Sequence, residues 1–338
     1  MRHLILALVL ICTALPGRAF EIEDRARFGP ENSTRELRIL SAADIGFFEP
    51  MITSFLANHP GVSIDYVVAS STELDRAIRD EGQAFDVVIS SAMDLQTKLA
   101  NDGMARRHVS DVTLDLPDWA TWNDMLFAFT QEPAAIVVSK DLFGDLPIPR
   151  DRHELINLLR EHPDRFRGRV GTYDVRSSGL GYLFATQDTR ASETYWRLTE
   201  VMGGLKTRLY CCSSEMIDAV KSGELLIAYN VLGSYAMNRA DRDEFVIILP
   251  ADFTTVMLRT VMIPNNAAND QLSGQFVDHL LRRSHGANAR PLTDPKLDLE
   301  AIDSSLNRIR IGAGLLVYLD QMKRRAFLSE WENALVRE

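Results

Sequence analysis

The residues able to do chemistry gather in a few short polar runs. Arg176-Ser177-Ser178-Gly179 directly precedes a long apolar stretch that reads as a helix. Serine hydroxyls and the N–H groups of a first helical turn, which have no intrahelical acceptor, form an anion site that the helix dipole strengthens. Gly179 lets the backbone approach a ligand closely. Ser90-Ser91, ahead of a second helical stretch, offers the same chemistry, although every one of these serines also reads as a plain N-cap. Arg259, in the extended run Leu258-Arg259-Thr260, is either an anion contact or a structural arginine. Glu132-Pro133 is either an amine contact or a polar crossover.

Catalytic patterns are missing from this set. His153-Glu154 has Asn157 where a metalloprotease helix would place its second histidine. No G-x-S-x-G elbow, P-loop or dinucleotide glycine fingerprint occurs, and the histidines show no metal-ligand spacing. The reading is of a chain that is not an enzyme, with no cofactor and no metal.

These runs sit at the ends of strands. Leu37–Ser41 is a strand leading to Ala42-Ala43-Asp44 and a helix near Phe47–Asn58. Val62–Ala69 alternates apolar and polar residues as a strand, and Ser71-Thr72 caps a helix to Arg79. Phe85–Ile89 is a strand ending at Ser90-Ser91, before a helix over Asp94–Ala100. Met125–Thr130 and Ala134–Ser139 are two strands interrupted by Gln131-Glu132-Pro133. The alternation then resumes, with a helix over His153–Glu161, a strand over Arg169–Asp174 and a long helix over Gly179–Val201. A helix over Ser213–Ser222 and strands over Glu224–Asn230 and Phe245–Leu249 follow. An alternating segment spans Thr255–Ile263, and helices at Asp270–Arg283 and Gly312–Val336 close the chain. Residues 20–35 read as an irregular lead-in, Trp119 and Trp122 as core, and the carboxylates of Asp294–Asp303 as a solvated face.

Strand–helix alternation implies parallel α/β sheets with right-handed crossovers. Two such units, joined by extended segments near 130 and 252, imply two lobes. Their polar strand ends, at Ala42-Ala43-Asp44, Ser90-Ser91, Asp174–Gly181 and Tyr229-Asn230, would converge on one cleft. The division expected is 20–130 plus 255–338 for one lobe and 131–254 for the other.

Size and charge agree. The 338 residues exceed what one core usually supports, and 37 basic against 47 acidic residues argue against a nucleic-acid partner. Met1-Arg2-His3, an apolar run from Leu4 to Leu15 and Gly17-Arg18-Ala19 read as a signal peptide over 1–19, which implies the periplasm. Cys211 and Cys212 are then the only mature cysteines, adjacent and in an oxidising compartment. They read as a vicinal disulfide, as two reduced thiols, or as a link to another chain.

The ordered set of Leu37–Asp44, Phe85–Ser91, Arg169–Gly181 and Glu215–Tyr229 resembles the periplasmic solute-binding proteins of ABC importers, in the branch of ferric-iron and phosphorylated-solute binders. The resemblance implies the type II periplasmic binding fold, two α/β lobes closing on a ligand by hinge bending. It implies a monomer whose closed form is read by an ABC permease or by the periplasmic domain of a sensor kinase. It also turns the Cys211-Cys212 loop toward the cleft, where a vicinal disulfide would form a rigid apolar platform. Ferric-binding members hold the metal largely through adjacent tyrosines, whereas this chain has Tyr229-Asn230 at the matching place, which disfavours iron. The expected ligand is a small anionic solute bearing phosphate, phosphonate or carboxylate. Its expected contacts are Ala42, Ala43, Asp44, Ser90, Ser91, Arg176, Ser177, Ser178, Gly179, Tyr229, Asn230 and Arg259.

Overall fold

A computed structural model describes residues 19–286 and 305–336. The expected leader, apart from Ala19, and the carboxylates of Asp294–Asp303 lie outside the described residues. The strands in chain order are β1 (Asp24–Phe28), β2 (Arg35–Ser41), β3 (Val62–Val68), β4 (Val87–Ser90), β5 (Ala105–Arg106), β6 (Thr121–Trp122), β7 (Leu126–Ala128) and β8 (Glu132–Ser139). They continue as β9 (Val170–Tyr173), β10 (Arg208–Tyr210), β11 (Ile227–Leu232), β12 (Phe245–Ile248), β13 (Thr254–Met257), β14 (Thr260–Pro264) and β15 (Leu306–Arg308).

These strands form two sheets, one per lobe. The first runs β1-β3-β2-β4-β14-β7-β6, with β5 on β14; the second runs β10-β9-β11-β8-β13-β15, with β12 on β8. Each sheet has a parallel trio at its heart, β3-β2-β4 in one and β10-β9-β11 in the other. Helices cover both faces, so β3 is buried along its whole length instead of on alternate residues. Its Asp65 is tolerated because Arg25 of β1 donates to both carboxylate oxygens, at 2.7 and 2.8 Å. That pairing also makes an antiparallel strand of a segment read from sequence as irregular.

Several boundaries differ from the sequence expectation for local reasons. The helix expected over Gly179–Val201 is two helices, Gly179–Ala191 and Thr194–Gly204. Ser192 between them is extended and its hydroxyl accepts from the Thr194 N–H, the usual competition of serine with helical bonding. The closing helix begins only at Gln321, where Asp320 caps it by accepting from Met322 and Lys323, and Ala313–Leu319 is a 3₁₀ segment. Ser70, and not the Ser71-Thr72 pair, caps Ser71–Arg79 by accepting from Glu73. Trp119 is 38% exposed and meets the His285 ring at a tilt of 58°, outside the core.

Thr255–Ile263 is not one strand. It breaks at Leu258-Arg259, where the chain leaves β13 in the second sheet and enters β14 in the first. The pairing therefore puts β13 and β15 with the second lobe, although the sequence division placed 255–338 with the first. The terminal helix packs there too, with Phe327 and Trp331 in one cluster with Tyr182, Tyr195 and Leu198.

The crossing at Arg259 is bound to the crossing at residues 129–132. The Arg259 guanidinium, fully buried, meets the fully buried Glu132 carboxylate through two bonds of 2.9 and 3.1 Å. Glu132 also accepts from Thr130 and Ser234. The Arg259 N–H donates to the Thr130 hydroxyl, and its carbonyl accepts from Phe129. Burial alone would raise the Glu132 pKa, but the Arg259 charge and these donors hold it below the usual carboxylate value. The stability this adds is complete above the ordinary pKa of 4.5 and is lost as pH falls through the depressed folded value.

Removing one member of such a pair strands a buried charge. Arg259→Met is expected to cost about 3–5 kcal/mol in denaturant unfolding, and adding Glu132→Met should recover much of that loss. A double variant no more stable than the single one would count against the pair as the tie between crossings.

Candidate functional site

The carboxyl ends of the six parallel strands meet at one interlobe cavity of about 60 Å³. From the first lobe come Ala42 and Asp44 after β2, Ala69, Ser70 and Ser71 after β3, and Ser91 after β4. The second lobe adds Tyr173 at the end of β9 and Ser178 beyond it, Cys211 and Cys212 after β10, Leu232 at the end of β11 and Tyr235 in the short helix that follows. The space holds a few waters at about 10–15 Å³ each, so the lobes stand nearly closed. A wider opening of about 580 Å³ shares Asp44, Ser214 and Tyr235 with it and leads outward past Phe47 and Arg239.

Three helices point their N-termini into this cavity, beginning at Ser71, Gly179 and Ser213. Their first N–H groups have no acceptor within the helix, which makes the wall rich in neutral donors. The Ser71 and Ser91 hydroxyls, 7% and 3% exposed as residues, have only each other as hydrogen-bond partners among the described residues, at 3.5 Å. That separation is the outer limit of a hydrogen bond. Ser213 is already engaged, sharing a 2.5 Å bond with the Tyr173 hydroxyl and accepting from Leu232 at 3.0 Å. Burial pushes the Tyr173 and Tyr235 hydroxyls above the usual phenol range, so both are neutral at pH 7.

Contacts across the cleft hold the lobes together. Phe47 stacks on Tyr235 with centroids 5.0 Å apart, and the Tyr235 hydroxyl accepts from the Asp44 N–H at 3.3 Å. Thr72 donates to the Ser177 carbonyl at 2.8 Å. Gly179 faces the first lobe directly: a Cβ there would lie 3.0 Å from the Ser71 Cβ and 2.9 Å from Leu95. Its missing side chain thus serves the approach of the lobes.

The cavity's charges are negative. Asp44 and Glu23 line it, and among the described residues no Lys, Arg or His does. Burial raises the Asp44 pKa; Arg259 and a hydrogen bond from Ser214 only partly oppose this. Burial and then the nearby Asp44 raise Glu23 as well.

Of the residues expected at the site, Ala42, Asp44, Ser91, Ser178 and Gly179 come together on this cavity, as do Cys211 and Cys212, which are joined in a disulfide. Ser178 also caps its helix by accepting from Gly181. The others lie elsewhere. Ala43 is in the first-lobe core, and Ser90 is buried with its hydroxyl taken by the Ala92 N–H. Arg176 is held by Asp174 through bonds of 2.8 and 2.7 Å, a neighbour two residues away that neutralises it. Ser177 is exposed and offers its carbonyl to Thr72. Arg259 is spent on Glu132, and its guanidinium carbon lies 5.2 Å from the Phe47 ring centre, behind the cavity wall.

Tyr229 and Asn230 turn into the second lobe. Asn230 has φ +63°, and the β11–β8 register slips there, which swings both side chains away from the cleft. The Tyr229 hydroxyl accepts from Arg152 at 2.8 Å and donates to Asp188 at 3.0 Å. Asn230 and Thr255 also donate to Asp188.

Sequence reading missed Ser70, Ser71, Ser213, Ser214, Tyr173, Tyr235 and Glu23. The serines carried the same signal as Ser90-Ser91, a polar pair between strand and helix, but Ser71, Ser213 and Ser214 were read as caps or helix starts only and Ser70 was not singled out. Glu23 carried none, because the strand beside it is recognisable only through its partner β3.

A family model described as bacterial extracellular solute-binding protein matches residues 37–287. No curated protein matches the sequence. Among solved structures the chain is similar to the substrate binding protein of an ABC transporter from Agrobacterium tumefaciens, at 30% identity and a TM-score of 0.85, covering 92% of this chain and 98% of that one. It shares its fold with the periplasmic binding protein AfuA from Actinobacillus pleuropneumoniae, solved with fructose-6-phosphate, at 16% identity and 0.72, covering 90% and 100%. The same holds for iron-bound HitA from Pseudomonas aeruginosa, at 16% and 0.65, covering 89% and 99%.

Two outcomes follow from this geometry. Gly179→Val should hold the lobes apart, giving a larger radius of gyration in solution scattering with unchanged circular dichroism; an unchanged radius would count against Gly179 as the closing contact. Iodoacetamide should modify neither Cys211 nor Cys212 of the folded protein until a reductant opens their disulfide, as read by peptide mass.

Proposed function

Because the chain belongs to the bacterial extracellular solute-binding proteins, a binding-protein family of ABC transporters, we propose that it captures a small anionic organic solute in the interlobe cavity. In this reading it works in the periplasm, binds without catalysing, and presents its closed form to an ABC permease. Closure follows when the solute binds the closed arrangement more tightly than the open one.

The observation that carries the anion reading is the convergence of three helix N-termini on the nearly unbonded hydroxyls of Ser71 and Ser91. Phosphate, phosphonate or carboxylate oxygens would accept from both hydroxyls and from first-turn N–H groups, replacing the weak 3.5 Å contact. The wall supplies dipoles instead of cations, which suits release as well as capture. AfuA, of the same fold, was solved with a phosphorylated sugar.

An iron carrier is less well supported. The Tyr229 phenol is held by Arg152 and Asp188 and raised well above its usual pKa, first by burial, so it is no ready phenolate. Among the described residues, the one grouping of potential metal ligands is Glu23 with Cys211 and Cys212, whose sulfurs are bonded to each other.

A thermal-shift screen of phosphorylated sugars, phosphonates, carboxylates and amino acids should find a stabilising anion, worth about 2.7 kcal/mol at a hundred times its Kd. Ser71→Ala with Ser91→Ala should weaken that ligand about tenfold or more per lost charge-assisted bond, at about 1.5–3 kcal/mol each. An undiminished shift in the double variant would remove the serine pair from the site.

A further inference from the structure

The cavity's charge pattern says more about the solute than that it is an anion. We propose that the solute is zwitterionic, with an ammonium group held by Asp44 and Glu23 and an anionic group held by Ser71, Ser91 and the helix N-termini. This rests on the anion reading and adds a second, oppositely charged end.

Asp44 stands at the N-cap of helix Ile45–Ala57, where an aspartate normally accepts from the first turn. It makes no side-chain cap bond there, and it lines the cavity together with Ser214 of the other lobe. The charges facing it are Arg259, which Glu132 already neutralises, and the carboxylates Asp24 and Asp218. Among the described residues, the charges that act on Glu23 are the carboxylates of Asp44, Glu215 and Glu21. Two carboxylates, Asp44 half-buried and Glu23 exposed at the rim, therefore line one cavity that has no Lys, Arg or His on its wall among the described residues. An ammonium would relieve that repulsion and complete the hydrogen bonding.

An anion alone would meet this pair as repulsion, so the acids need a reason to be there. The independent observation is the Ser71–Ser91 pair, each residue more than nine-tenths buried and aimed into the same cavity. Of two hydroxyls 3.5 Å apart, one proton at most is used between them, and the other is free for a ligand oxygen. Donors on one side and acids on the other describe a molecule with two ends. The Cys211–Cys212 disulfide, also on the wall, offers apolar surface for a short carbon linker.

Matched probes separate the two ends. Titration calorimetry on the purified chain at pH 7.5 would compare aminoalkyl phosphonates and ω-amino carboxylates of two to four carbons with the same compounds lacking the amine, and with the simple alkylamines. The aminated member of a pair should bind at least tenfold more tightly, and Asp44→Asn should erase that ratio while leaving the desamino compound nearly unaffected. Glu23→Gln, on the N-terminal segment, gives the same test should the Asp44 variant fail to fold. The ratio should also shrink as pH drops from 7.5 toward 5, because protonating Asp44 and Glu23 removes their attraction for ammonium. Equal affinities within every pair would overturn the amine subsite and leave the anion reading standing. Alkylamines binding as tightly as the zwitterions would overturn the two-ended solute and the anion reading together, as would no binding by any probe.

Discussion

The buried pair of Arg259 and Glu132 is the constraint on which the two-lobed arrangement rests. The chain passes from the first sheet to the second just before Glu132 and returns just at Arg259, so one ion pair ties these two crossings, before the chain enters the second sheet again at β15. Both charges are fully buried: the Glu132 carboxylate accepts from Arg259 and from two hydroxyls, whereas the Arg259 guanidinium is met by Glu132 through two of its nitrogens and its Nη1 has no hydrogen-bond partner among the described residues. The pair fixes where the lobes can pivot while leaving their facing surfaces to be shaped by other contacts. Its lining of Phe47 and Tyr235 links the crossing to the mouth of the cleft, where the same two rings stack across the lobes.

From that pivot, six strand ends are brought to one place. Parallel strands deliver their carboxyl ends to the same edge of each sheet, and the helices that follow begin there. What fills the space is set by size as much as by polarity: serines, alanines and a glycine at the contact, with no long cation among the described lining residues. Cys211 and Cys212, joined to each other, add a stiff apolar edge to an otherwise hydroxylic wall.

The second lobe has its own buried charge centre, and it consumes residues that the cleft might have used. Arg152 and Asp188 are fully buried and are completed by Tyr229, Asn230, Asp252 and Thr255. Satisfying that network requires Tyr229 and Asn230 to point inward, which the left-handed Asn230 and the slipped β11 register accomplish. A strand end that looks like a binding loop in one dimension is here a core support for the lobe.

Alternating strands and helices, the polar strand ends and the two-lobed plan were legible in the sequence, because periodicity and strand-to-helix serines are local signals. So was the region of the cleft, since Asp44, Ser91, Ser178, Gly179 and the cysteine pair lie on it. Which charged residues face the cleft was decided only by tertiary structure. Arg176 is neutralised by a neighbour, Arg259 by a residue 127 positions away, and Glu23 enters the cavity wall through a strand that exists only by pairing with β3. A side chain's partner, and hence whether its charge is free for a ligand, depends on which elements fold against it, and no spacing along the chain records that.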